Sequence, residues 1–243
     1  MTQSRDLVLV PGLMCDEAVW EPLYPHLPAG VACQVVVHGD ADHLTVMAQR
    51  LLEAAPARFA LAGHSMGARV ALEVMRLAPQ RVERLALLDT GYAPLAAGAA
   101  GEAEKAKRQA LLEKARAQGM RAMAAEWAQG MVHPDRLQDE ALMEAILGMC
   151  ERKTADQFAA QIRALLARPD GSEVLQSLQA LGVPTLIACG RQDAWAPVAQ
   201  HEAMHRLAPG AVLAFVEDAG HMAPMERPAE TAAVINRWLA QPA

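Results

Sequence analysis

The sequence predicts an α/β fold: about six mostly parallel strands with helices on both faces, interrupted by an inserted helical block. Short continuous apolar runs alternate with stretches of helical periodicity along most of the chain. The alternation stops between residues 94 and 181, where no strand-like run occurs, and resumes after Pro184. At 243 residues and 53% hydrophobic, the chain can bury a full core and is not disordered.

The strand-like runs are residues 7–10, 33–37, 59–62, 85–88, 185–188 and 212–216. Each is a continuous apolar stretch bounded by turn residues, as expected for strands covered on both faces. Helical stretches fall at 17–27, 44–55, 66–78, 197–207 and 229–239. The middle block is rich in Ala, Leu, Glu, Gln, Lys and Arg. Breaks at Gly119, 130–134, 148–152 and 169–171 divide it into about four or five helices. Thr154 and Gln157 have the spacing of a capping box. Because strands lie on both sides of the block, 94–181 is an insertion into a core made of 1–93 and 182–243.

Charge and cysteine usage exclude several classes. Lys plus Arg number 22 against 28 for Asp plus Glu, and a net charge of −6 repels a phosphate backbone. No basic stripe is interleaved with aromatics, so nucleic acid is not expected as a partner. Cys15, Cys33, Cys150 and Cys189 are far apart, without C-x-x-C spacing, and read as small buried hydrophobes in a reducing compartment. No apolar stretch approaches the ~20 residues that span a bilayer, and the first residues carry no signal-peptide pattern. The expectation is a soluble cytoplasmic protein with no membrane partner.

Chemistry concentrates around Gly63-His64-Ser65-Met66-Gly67. A strand runs into a Gly-x-Ser-x-Gly turn and out into a helix, a frame that none of the other three serines shares. The turn is so tight that side chains at its glycines would collide, and it lifts the hydroxyl of Ser65 to the N-terminus of a helix. Serine is a poor nucleophile without a base. His221, directly after the last strand and before the last helix, lies at the same sheet edge. Asp193, in the loop after the fifth strand run, is placed to orient that imidazole; Asp89, ending the run 85–88, is the other available acid.

These residues resemble the α/β-hydrolase superfamily. The Gly-His-Ser-Met-Gly turn, the Gly190-Arg191-Gln192-Asp193 loop before Pro197, and the segment from Gly220 to Pro228 are similar to its signatures, in the order Ser65, Asp193, His221. The resemblance covers most of the chain outside 94–181, which occupies the position of the family's helical cap. It implies an oxyanion hole made by the backbone N–H groups of Met66 and Leu13. Family members usually carry His-Gly where this chain has Pro11-Gly12, and a glycine where it has Ala68. Proline offers no side chain to brace that loop. With only six residues before the first run, the family's opening hairpin has no room, which implies six strands rather than eight.

A second motif competes. His201-Glu202-Ala203-Met204-His205 matches H-E-x-x-H, in which two histidines on one helical face bind zinc and the glutamate activates water. Glu226 and Glu230 are available as a third ligand. The motif sits in an ordinary helix without the strand and turn that frame Ser65, so no metal and no cofactor is expected.

The block 94–181 carries Met120, Met123, Trp127, Met131, Met143 and Met149. Some of these should roof the site, with Trp127 and Trp195 as an aromatic wall favouring a substrate with an apolar portion. Lys105, Lys107 and Arg108, interspersed with Glu102, Glu104 and Glu113, read as an exposed mixed-charge face and not as an anion site. The leading expectation is a serine hydrolase acting on a small carboxylic ester, thioester or lactone. The resemblance leaves two alternatives: carbon–carbon hydrolysis or lyase chemistry on the same residues, and a ligand receptor that turns over slowly.

Overall fold

In the computed structural model, which describes residues 5–242, six strands form one sheet in the order β2-β1-β3-β4-β5-β6. They are β1 (Arg5–Val10), β2 (Val31–Val35), β3 (Phe59–His64), β4 (Val82–Leu88), β5 (Thr185–Gly190) and β6 (Val212–Val216). Every adjacent pair is parallel. The chain steps from β1 outward to β2, then returns to the other side of β1 as β3. This reversal makes a topological switch point, and loops leaving the C-terminal ends of β1 and β3 part to open a crevice there. Val10 pairs with Gly63 and His64 with Leu88, so the segments after β1, β3 and β4 emerge at one edge.

Helices cover both faces: α1 (Leu44–Ala54), α2 (Met66–Leu77), and, after the block, α8 (Val198–Leu207), α9 (Ala223–Glu226) and α10 (Pro228–Leu239). Between β4 and β5 run α3 (Ala99–Gln118), α4 (Met120–Trp127), α5 (Glu140–Glu151), α6 (Ala155–Leu166) and α7 (Ser172–Ser177). The capping box forms as its spacing predicts. Thr154 Oγ1 accepts the Gln157 N–H at 3.1 Å, and Gln157 Oε1 accepts the Thr154 N–H at 3.0 Å. No helix among the described residues is long and apolar enough to cross a membrane.

Local expectations fail where neighbours decide. Residues 17–27 form two 3₁₀ segments, Glu17–Val19 and Glu21–His26, and not one α-helix. Pro22 and Pro25 lack the N–H groups a continuous helix needs. Gly148 lies within α5, which ends at Glu151 with Arg152 as its cap, at the far end of the break read at 148–152. The second strand starts at Val31, because its pairing with β1 (Arg5 opposite Val31 through Leu9 opposite Val35) sets the register. Burial on both faces holds along β3 and β5, whereas β2 and β6 at the sheet edges are partly open. Cys33 on β2 is accordingly exposed, while the other three cysteines are buried.

The core is continuous from the sheet into both helical layers, with Trp20, Phe59, Phe158 and Trp238 fully buried. Trp238 also donates its indole N–H to the Pro184 carbonyl at 3.0 Å, tying α10 to the start of β5. Backbone packing is closest where β3 turns into α2. A Cβ on Gly67 would lie 2.1 Å from the Val10 carbonyl oxygen, and one on Gly63 would lie 2.5 Å from the Ala68 backbone. Both clashes are with main chain that cannot swing aside. Gly148, by contrast, has open space around its missing Cβ. We therefore expect Gly67→Ala to cost about 3 kcal/mol or more, and Gly148→Ala to add about 0.5–1 kcal/mol by removing helix-interior glycine. Urea unfolding of the two variants measures both.

Candidate active site

Ser65 is the pivot of the β3–α2 turn, with φ 55° and ψ −116°. A serine in that region is strained by about 1–3 kcal/mol and persists only when its surroundings over-determine it. Here they do. The Ser65 N–H donates to the Leu88 carbonyl at 2.9 Å, and its own carbonyl accepts the Ala68 N–H at 3.1 Å and the Thr90 hydroxyl at 2.8 Å. The side chain is left standing above the sheet edge.

His221, in the loop between β6 and α9, meets it. Ser65 Oγ lies 2.8 Å from His221 Nε2, and His221 Nδ1 lies 2.8 Å from Asp193 Oδ2. In the tautomer this arrangement favours, Nδ1–H donates to the carboxylate and Nε2 accepts from the serine hydroxyl. The other carboxylate oxygen, Oδ1, accepts the N–H groups of Trp195 and Ala196, each at 2.8 Å. Burial works to raise the Asp193 carboxyl, but His221 and these two N–H donors outweigh it and hold it below the usual carboxylate range.

The geometry separates the two acids. Asp89 is buried at the end of β4 with φ 50°, and its Oδ1 accepts the Gly190 N–H at 2.8 Å. It bridges β4 to β5 and makes no hydrogen bond to His221 among the described residues. Burial and the nearby charge of Asp193 push its carboxyl upward, favouring the neutral acid.

Several buried polar groups to which the sequence assigned no such role hold this arrangement. His64, inside the Gly-x-Ser-x-Gly turn, lies 2.7 Å through Nε2 from the His221 carbonyl, to which its N–H donates. Burial and the neighbouring His221 lower its pKa to about 3, so it stays neutral. Glu226 accepts the N–H groups of Gly220 and Met222, on either side of His221, at 2.9 and 3.2 Å, and that of His133 at 2.6 Å. The loop carrying Leu13 is braced from two directions. His38 Nε2–H donates to the Pro11 carbonyl at 2.7 Å, and Gln161 of α6 accepts the Met14 N–H at 2.9 Å. Proline brings no side-chain brace, and His38 supplies one to its carbonyl instead. Leu13 and Met66 both line the cleft beside Ser65, and Met66 is the first residue of α2.

The H-E-x-x-H residues are occupied otherwise. His201 is fully buried, its Nε2 accepting the Thr90 N–H at 3.0 Å and its Nδ1 lying 3.3 Å from the Pro197 carbonyl. His205 Nε2 lies 3.1 Å from the Ala211 carbonyl, Glu226 serves the His221 loop, and Glu230 pairs with Arg227. His201 thus has no lone pair free for a metal. Among the described residues no group of three His, Cys, Asp or Glu is placed to hold one.

Trp127 and Trp195 both line the cleft, with Met131 and Leu165. Its wall is nevertheless not only apolar. Arg69, Arg108, Thr90 and Gln200 line it too. Arg108 thus departs from the exposed face expected of it: packing of α3 against α6 turns it inward, while Lys107 lies 4.0 Å above the Trp195 ring.

Residues 7–234 match the model of the alpha/beta hydrolase family. The chain belongs to that family. Its six parallel strands and flanking helices are those of the fold. It is 31% identical, over 235 residues, to the dihydrolipoyllysine-residue acetyltransferase component of the acetoin cleaving system of Pseudomonas putida, covering 90% of this chain and 59% of that one. It is 38% identical over 91 residues to the pimeloyl-[acyl-carrier protein] methyl ester esterase of Photobacterium profundum, covering 34% of this chain and 36% of that one. The chain therefore aligns with less than two thirds of either relative. Among solved structures, a thermophilic esterase from Thermogutta terrifontis superposes with a TM-score of 0.84 at 26% identity, covering 98% of this chain and 90% of that one.

The neutral His201 makes a pH test. Burial lowers its pKa from 6.5 to about 4, so between those values the unfolded chain takes up a proton that the folded protein refuses. This group's contribution to stability is complete above 6.5 and falls as pH drops toward 4. His201→Gln keeps an acceptor for Thr90 without the titration. Between about pH 7 and pH 5 the wild type should lose about 2 kcal/mol relative to this variant. Urea unfolding at the two pH values checks it, and a pH-independent difference would refute the buried neutral imidazole.

Proposed function

We propose that the protein is a serine hydrolase that cleaves a small carboxylic ester, thioester or lactone through an acyl-enzyme on Ser65. The observation that carries this reading is the unbroken relay from Ser65 Oγ through His221 to Asp193, at 2.8 Å in each step. The similarity to an esterase structure at 26% identity supports it.

In this reading Ser65 Oγ attacks the carbonyl carbon while His221 Nε2 takes the hydroxyl proton. Asp193 stabilises the imidazolium and keeps Nδ1 protonated. The carbonyl oxygen becomes an oxyanion facing the Met66 and Leu13 N–H groups, whose worth comes from being fixed before the charge develops. Collapse breaks the bond to the leaving group, which receives the proton from His221. Water then attacks the acyl-enzyme by the same steps, restoring Ser65 and releasing the acid. The residues 94–181 act as a cap over the cleft, and the Trp127 and Trp195 walls receive an apolar portion of the substrate. The four cysteines are free thiols, which supports a reducing, cytoplasmic setting.

Ser65→Ala should abolish labelling by a fluorophosphonate and lower kcat on p-nitrophenyl esters by about 10⁴-fold, with an unchanged circular dichroism spectrum. Retained turnover in that variant would overturn the reading. Asp193→Asn should approach the same loss by inverting the His221 tautomer, whereas Asp89→Asn should lower stability more than kcat. The comparison is made on steady-state rates alongside thermal unfolding. Exhaustive treatment with EDTA or phenanthroline should leave turnover unchanged, and chelator-sensitive activity would count against a serine mechanism.

A further inference from the structure

The serine mechanism does not use the arginines of the cleft. Arg69 sits one helical turn beyond Ser65 on α2, and Arg108 reaches in from α3. With Arg168 they form one cluster around a single carboxylate, Glu104. Arg168 clamps Glu104 with two bonds, at 2.8 and 2.7 Å, and Arg108 donates to the same carboxylate at 2.9 Å. Among the described residues Arg69 donates only to the Ala93 carbonyl, at 3.0 Å, and shares it with Arg168 at 3.3 Å. It makes no ion pair among the described residues. Three guanidiniums therefore face one carboxylate at the wall of the cleft, in a chain whose net charge is −6.

Leaving a guanidinium half-buried without a counter-ion is costly. The cost shows on Arg69, whose pKa burial and the neighbouring Arg168 pull down to about 9, still charged at neutral pH. Its surroundings keep the head accessible from the cleft. Gly91 also lines the cleft, and a Cβ there would come within 3.0 Å of Arg69 Nη2 and 1.7 Å of Gln200 Nε2. Any larger residue would displace Gln200, which reaches across Gly91 to donate to the Thr90 carbonyl at 3.1 Å.

We propose that the substrate carries a carboxylate, held by Arg69 and Arg108, in addition to the ester, thioester or lactone carbonyl presented to Ser65. This rests on the hydrolase reading and narrows its substrate class to acid half-esters, half-thioesters and lactone acids. The planar fork of arginine matches a carboxylate with two parallel N–H donors. Arg69 supplies the guanidinium without an ion pair among the described residues, and Arg108, which bonds Glu104 through Nε and Nη2, can add a donor from Nη1. The tryptophans then receive the methylene chain between the two functional groups.

Two matched ester pairs test the assignment. In one the carboxylate ends the acyl chain, mono-p-nitrophenyl adipate against p-nitrophenyl hexanoate. In the other it ends the alcohol, 4-acetoxybutanoate against butyl acetate followed by pH-stat. In at least one pair kcat/KM should favour the anion by about tenfold or more, mainly through KM. That preference should collapse toward one in both Arg69→Gln and Arg108→Gln. A purely structural loss slows both members alike and leaves the ratio unmoved. Two outcomes overturn the proposal: no anion preference in either pair, or a preference that survives both substitutions. If no ester is turned over at all, the serine reading fails and the carboxylate site is judged by calorimetry with adipate. Binding that weakens about tenfold or more in Arg69→Gln supports the site, and absence of binding refutes it. Tighter binding of butyl phosphate than of adipate would assign the cluster to a phosphate and overturn the carboxylate.

Discussion

Everything at the site depends on one constraint: a serine held in a backbone conformation that serine does not choose. The β3–α2 turn is so tight that the Ala68 main chain occupies the space of a side chain at Gly63, and it presses so closely on β1 that the Val10 carbonyl occupies that of a side chain at Gly67. That contact makes the turn sharp and points Ser65 Oγ out of the sheet. The strain is sustained by bonds from β4, through the Leu88 carbonyl, and from the segment just beyond it, through the Thr90 hydroxyl. Three consecutive strands therefore share the positioning of one hydroxyl. Parallel pairing is what makes this possible, since it brings the C-terminal ends of all three to the same edge.

Around that hydroxyl, precision comes from buried polar groups kept neutral or fully bonded. His38, His64 and His201 are each lowered below ordinary histidine values by burial, and each spends a ring nitrogen on a backbone group of a functional loop. Neutral imidazole suits the task because it offers both a donor and an acceptor without the desolvation cost of a charge. Glu226 does for the His221 loop what Gln161 does for the Leu13 loop: its acceptors gather backbone N–H groups that burial would otherwise leave unpaired. Asp193 is a buried carboxyl whose pKa is lowered, and its partner His221 can carry a positive charge. Asp89, sharing the region without such a partner, is driven the other way. Two carboxyls within one sheet edge are thus shifted in opposite directions by their neighbours.

The cleft reverses the sign of the molecule around it. The surface is net acidic, yet the wall facing Ser65 gathers arginines from α2 and α3 with Arg168 close behind. Glu104 offsets part of that charge and also fixes the geometry of Arg108 and Arg168. The aromatic wall gives the cleft an apolar side, so a ligand is offered both surfaces.

The sequence by itself determined the parallel α/β class, because apolar runs alternating with amphipathic stretches have few other solutions. It also determined the Ser65 turn, whose glycines answer to a local steric demand, and it placed Asp193 and His221 at the edge where Ser65 emerges. Distant partners decided the rest. His38 reaches Pro11 and Gln161 reaches Met14 across intervals of 27 and 147 residues, with no local pattern to announce them. Whether His201 and His205 faced a metal or the backbone depended on the Thr90 and Ala211 groups packed against α8. Whether Arg108 faced solvent or the cleft depended on how α3 rests on its neighbours, and β2 shifted because β1 sets its register. Periodicity records which residues share a face of an element; only packing between elements decides what that face meets.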